Sequence, residues 1–160
     1  MRRTRMRASP APHRISSRSP EEAAMKVLRT YLIAVGIWYL CNLVLLWPPV
    51  YAGALRLIYP GIALGQGTPS FGLLLDAWLI VGIQLAAIGL VALWGARDPL
   101  RYWALVPVIV LTELVGSAWD IYSVVWSGEA LWVGLTTLAA HAVIMAGAWF
   151  ARRAMERDIV

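Results

Sequence analysis

A chain of 160 residues that is 60% hydrophobic, only 14% charged and of mean hydropathy +0.67 does not have the make-up of a soluble domain, where roughly a quarter of residues carry charge. One cysteine, Cys41, excludes an intramolecular disulfide and CxxC chemistry, which leaves it as a small hydrophobe facing lipid or a neighbouring helix. The net charge of +5 is not the footprint of a nucleic-acid binder, because eight of the fourteen Lys and Arg precede residue 30 and the others flank apolar runs, a distribution that encodes membrane topology.

Residues 1–24 are rich in Arg, Ser and Pro and nearly empty of large apolar groups, so a disordered basic tail is expected, with an over-extended start before Met25 or a targeting segment as the alternatives. Thr30 to Trp47 is an uncharged run of 18 residues, roughly 27 Å as a helix, stopped by Pro48-Pro49. Residues 48–70 are broken by Pro48, Pro49, Pro60 and Pro69 and by four glycines; within them AGALRLIY suits a short interfacial helix. A second span, 71–96, carries Asp76 and Gln84 and ends at the basic turn Arg97-Asp98-Pro99-Leu100-Arg101. The third, 103–126, has Pro107 near its start, where a missing N–H costs least, and the fourth, 130–150, closes on Arg152-Arg153. The bundle thus covers 25–153, and 154–160 is a short cytoplasmic tail.

The expected fold is an all-α membrane protein, a four-transmembrane-helix antiparallel bundle, since hydrocarbon offers backbone polar groups no partner outside a helix or closed barrel. Thirteen Lys and Arg on the side of the termini against one, Arg56, on the other place both termini in the cytoplasm. Several of the nine tryptophans mark span ends, where an amphipathic ring prefers the headgroup boundary.

Counting depth from the span ends places the polar residues in two layers. Gln84, Glu113 and His141 fall near the middle; Asn42, Asp76 and Asp120 fall toward the outer end. Glu113 and Asp120 are seven residues apart, on one helix face, with Gly116 and Ser117 between them to admit a neighbouring helix. Gly134, Thr137, His141 and Ala148 make a comparable stripe on the fourth span. Gln84 is turned by roughly 80° from Asp76 and faces another neighbour. No Lys or Arg lies within a span, so the mid-depth carboxyl must be protonated or bond to His141, Gln84, Thr112, Ser117, an indole or water; Glu113 with His141 is the favoured pair. The plain alternative is that these groups only fix helix register, through bonds averaging about 0.6 kcal/mol.

Nucleotide-binding and zincin motifs are absent from the sequence. Glu113, Asp120 and His141 lack the Glu-x-x-His pattern of bundle metal sites, and His13 sits in the tail, so neither a metal nor a haem or other cofactor is expected. The partners expected are the lipid bilayer, a hydrophobic small-molecule ligand, and a second copy or another membrane protein, with no nucleic acid.

MKVLRTYLIAVGIWYLCN from Met25, a Pro-rich connection with IYPG, FGLLLDAWLIVGIQLAAIGLVAL followed by RDP, and LTELVGSAWDIYSV together resemble the BphX-like family of small integral membrane proteins, and more distantly the DoxX-type four-span proteins. The likeness covers roughly residues 25–153, and its most particular pieces are Leu75-Asp76-Ala77-Trp78, Arg97-Asp98-Pro99, and Glu113 with Trp119-Asp120-Ile121-Tyr122. It implies a four-span inner-membrane protein without an established activity.

Three functions follow, in this order. The first is a non-catalytic bundle that binds a partner protein or an apolar molecule through inward polar layers. The second is an intramembrane enzyme, for instance an isomerase in which Glu113 or Asp120 moves a proton with His141 as partner. The third is a proton- or cation-coupled carrier, for which 160 residues show no inverted repeat. The lack of a catalytic motif sets binding ahead of catalysis.

Overall fold

The structure is a computed structural model and describes residues 20–62 and 65–156. Five helices are present among them: α1 (Pro20–Leu45), α2 (Pro48–Ile58), α3 (Pro69–Gly95), α4 (Leu105–Trp126) and α5 (Leu131–Glu156). All but α2 are long and apolar enough to cross a membrane. Of the segment expected to be a disordered tail, residues 1–19 lie outside the described residues. Residues 20–24 are helical rather than disordered: Pro20 needs no N–H at the first position, and Glu21 and Glu22 meet the positive end of the helix dipole.

Proline sets the other boundaries. α1 stops three residues before Pro48, and Pro48-Pro49 open α2, after an extended Trp47. The short helix expected over AGALRLIY therefore begins earlier, at Pro48. Tyr51, Leu55 and Tyr59 recur every four residues and are buried, while Arg56 and Leu57 stay exposed, so α2 packs on its neighbours through one apolar stripe. At the start of α3 the Thr68 hydroxyl accepts from the Phe71 amide and Pro69 takes the first position. The chain reverses between α4 and α5 at Gly128, whose φ of 74° is costly for any residue with a Cβ.

α1 lies at the centre of the contacts, against α3 on one side and α5 on another, and α4 packs on α5. The α1–α3 crossing is made at glycine. A Cβ on Gly36 would fall 2.9 Å from the Gly89 carbonyl oxygen, and one on Gly89 would fall 2.8 Å from that of Gly36. Gly82, Ala86, Gly89, Ala92 and Gly95 make a buried small-residue face on α3 that permits this approach. The partners of α3 run backwards along α1, from Gly89 beside Gly36 to Gly82 beside Leu43 and Leu46. The same reversal relates α4 and α5, where Gly116 meets His141 and Gly134 meets Val124.

Two apolar cores result. The larger one includes Leu28, Leu32, Val35, Ala92, Ala96, Val106, Ile109, Ala148 and Ala151 and fills the end of the molecule where the chain enters and leaves, here the terminal end. The smaller one, Tyr51, Leu55 and Tyr59 with Phe71, Leu74, Leu75 and Trp78, fixes α2 across the opposite end, here the α2 end. Between the two cores lies a band of buried polar side chains.

Candidate functional site

Three helices contribute to this band. Glu113 on α4 is 2% exposed, a degree of burial that a carboxyl group sustains only with partners on both oxygens. Both partners are present. The Tyr39 hydroxyl on α1 donates to Oε1, and Nδ1 of His141 on α5 lies 2.5 Å from Oε2. Two turns further along α4, Asp120 is also buried, and its Oδ2 stands 3.3 Å from Nε2 of His141. The imidazole therefore has a carboxyl oxygen at each ring nitrogen. The contact with Glu113 is a hydrogen bond; that with Asp120 has ion-pair separation without hydrogen-bond alignment, and Oδ2 is buried with no hydrogen-bond partner.

Local packing explains why the ring stands there. A Cβ on Gly116 would come within 2.5 Å of His141 Cε1 and 2.8 Å of Nε2, so the imidazole occupies the volume that any side chain at 116 would take. Glu113, Gly116 and Asp120 share one face of α4 at helical spacing, and the histidine lies across that face between the two acids. Ser117 takes no part in the cluster, since its hydroxyl donates to the Glu113 carbonyl of its own helix. Thr112 and Thr137 likewise bond within their own helices.

The three remaining residues expected in the polar layers are elsewhere. Asn42 donates to the Trp38 carbonyl one turn back on α1. Asp76 and Gln84 are exposed on α3, which turns its glycine and alanine face to α1 and its polar groups away. The expected middle layer is thus corrected by exchanging Gln84 for Tyr39, and the outer layer of Asn42, Asp76 and Asp120 does not assemble. Tyr39 is absent from the expected layer because a depth count over carboxyl, amide and imidazole groups passes over a phenol within an apolar run. Its position, nine residues beyond Thr30, carried the missing signal, because that count puts it at the same depth as Glu113.

A second polar group borders the first toward the α2 end. Ser123, fully buried and three residues beyond Asp120 on α4, has its Oγ 3.0 Å from the Tyr59 hydroxyl. Its carbonyl accepts from the amides of Ser127 and Glu129, and the Ala130 amide donates to the Ile58 carbonyl, closing the α4–α5 turn over the end of α2. Burial raises the Glu129 carboxyl above its ordinary range, with the Asp120 charge adding to the effect and a bond from Ser123 opposing it. Tyr59 is also raised, first by burial, with Glu129 and Asp120 contributing and the Ser123 bond opposing.

Among the described residues no three His, Cys, Asp or Glu side chains converge as a metal site, and the two acids approach the imidazole from its two different nitrogens rather than meeting at one point. What the arrangement can do is hold and share protons along the bonded row of Tyr39, Glu113 and His141, with Asp120 at ion-pair distance from its end.

The family model described as BphX-like matches residues 25–157 of this chain. An uncharacterised BphX-like protein of Burkholderia cepacia is 51% identical over 131 residues, 82% of this chain and 94% of the relative. One of Paraburkholderia xenovorans strain LB400 is similar to the same extent, at 51% over 131 residues. No solved structure matches the chain.

Proposed function

The chain belongs to the BphX-like family, and for it we propose a bacterial plasma-membrane protein of four antiparallel spans with both termini in the cytoplasm, whose interior takes up and releases a proton at Tyr39, Glu113, His141 and Asp120. The observation that carries this reading is the imidazole with a carboxyl oxygen at both ring nitrogens. No lysine or arginine side chain pairs with this group among the described residues. Two carboxylates and one imidazolium would leave a net negative charge in hydrocarbon, at a cost of several kcal/mol. One further proton makes the group neutral, with an imidazolium, one carboxylate and one carboxylic acid. That proton is exchangeable, and its gain or loss changes how three helices are held together. Such a site suits a proton-coupled carrier or an intramembrane proton-transfer catalyst.

Infrared spectroscopy of the purified protein tests the reading. A carboxylic-acid carbonyl band from a buried, protonated side chain is expected, together with its loss or displacement in Glu113→Gln and Asp120→Asn. A spectrum without such a band would sink it.

One observation favours a second reading, the binding of an apolar molecule or of a partner protein. Asp120 Oδ2 is buried without a hydrogen-bond partner, and an incoming hydroxyl or amine could supply the missing donor. Mass spectrometry of the protein from mild detergent should then find a bound molecule that Asp120→Asn no longer retains.

A further inference from the structure

The polar band is asymmetric with respect to the two ends of the molecule. At the terminal end, the Tyr31 hydroxyl is buried without a partner, and the neighbouring Leu28, Leu32, Val35, Ala92, Ala96, Val106, Ile109, Ala148 and Ala151 are all buried apolar groups. Apart from Tyr39, which belongs to the row itself, the only hydroxyl buried in that core is that of Tyr31, and it makes no hydrogen bond. Toward the α2 end the polar groups continue. One turn past Asp120 comes Ser123, its hydroxyl at 3.0 Å from that of Tyr59, and then Glu129, half-buried in the turn with its amide bonded to the Ser123 carbonyl.

We infer that the buried cluster exchanges its proton through the α2 end, along Asp120, Ser123 and Glu129 with Tyr59 holding the serine, and is closed at the terminal end. This rests on the proton-binding reading above and adds its route. Two independent observations meet in it: Asp120 keeps a buried oxygen with no hydrogen-bond partner, and the next turn of α4 carries a fully buried hydroxyl tied to the residues that cap that end. The Asp120 charge is felt at both Glu129 and Tyr59, which places all three groups in one electrostatic neighbourhood.

The step balances without electron transfer. The Asp120 O–H bond breaks as its proton passes to the Ser123 oxygen; the serine gives its own proton to the Glu129 carboxylate, and Glu129 releases one to solvent. A carboxyl group with ionisation disfavoured by burial is suited to this last exchange, because the shift favours the protonated form that hands its proton on. The titratable groups around Asp120 are His141 from α5, Glu113 from α4, Tyr39 from α1, Tyr59 from the end of α2 and Glu129 from the turn, while Asp76 and Gln84 of α3 and Arg56 of α2 are exposed.

The full chain in lipid nanodiscs, transferred into deuterated buffer, gives the test through the rate at which the carboxylic-acid band shifts. Glu129→Gln should slow the shift by about a hundredfold or more, the low end of what a positioned proton-transfer group supplies, and leave the band itself in place. Ser123→Ala should do the same, while Tyr31→Phe should leave the rate unchanged. Glu129 is the safer site, since it lies half-exposed in a turn and its loss does not threaten folding. A band that exchanges at the unaltered rate in both Glu129→Gln and Ser123→Ala, or that slows in Tyr31→Phe, overturns the route while leaving proton binding intact. Absence of the band in the unaltered protein overturns both.

Discussion

A single hydrogen atom on Gly116 decides whether the polar row exists. The His141 ring fills the volume next to that Cα, at distances that real Cβ atoms essentially never show, and in that position each ring nitrogen meets a carboxyl. Gly116→Ala must therefore push the imidazole away from Glu113, Asp120 or both. Two costs add: overpacking, typically about 1 to 3 kcal/mol, and a buried carboxyl left short of a partner, of similar size. The expected outcome is a lower thermal midpoint in detergent together with loss or displacement of the carboxylic-acid band. Gly53→Ala supplies the comparison, because nothing lies within 4 Å of a Cβ there and alanine is the better helix former. If the two variants melt alike, the ring does not depend on Gly116.

At the scale of helices, the α1–α3 crossing and the polar row are one device. A Cβ on Gly89 would fall 3.0 Å from Tyr39 Cβ as well as 2.8 Å from the Gly36 carbonyl oxygen, and these atoms belong to or adjoin the helix backbone, so they cannot rotate aside. Gly89→Ala should separate α1 from α3 and shift the Tyr39 hydroxyl relative to Glu113. Its penalty should exceed that of Gly116→Ala, where a side chain can yield, and tryptophan-fluorescence melting of the two variants compares them directly. The same contrast explains what the sequence could and could not reveal. Residue counting gives height in the bilayer, and height alone paired Glu113 with His141. It does not give rotation about the helix axis. Gln84 and Asp76 lie at suitable heights, yet α3 spends its inward face on Gly82, Ala86 and Gly89, the residues that let α1 approach, so the polar groups point elsewhere. Tyr39 is brought to Glu113, and Asp120 to the histidine, by the azimuth that the two glycine crossings impose. α2 was visible as a run interrupted by glycine, but its start at Pro48 required treating proline as the first residue of a helix instead of the end of one.

For the whole molecule, direction in the membrane is a matter of charge, and the margin is wide enough to survive a severe cut. Lys and Arg number thirteen on the side of the termini and the Arg97–Arg101 turn, against Arg56 alone on the side of α2 and the Ser127-Gly128-Glu129 turn. Removing residues 1–24 deletes six arginines and still leaves seven against one. It also shortens α1 to Met25–Leu45, roughly 31 Å of helix, which matches the hydrocarbon thickness and retains Tyr31 and Tyr39. The family match begins at residue 25, so the retained part is the part shared with relatives. A chain started at Met25 is therefore expected to insert with the same orientation as the full one. A fluorescent protein fused after Val160 should light up in the cytoplasm for both, and alkaline phosphatase placed in the 127–130 turn should be active for both. Inversion of either reporter on truncation would mean that the basic tail, and not the flanks of the helices, sets the orientation, and the side from which Glu129 meets water would invert with it.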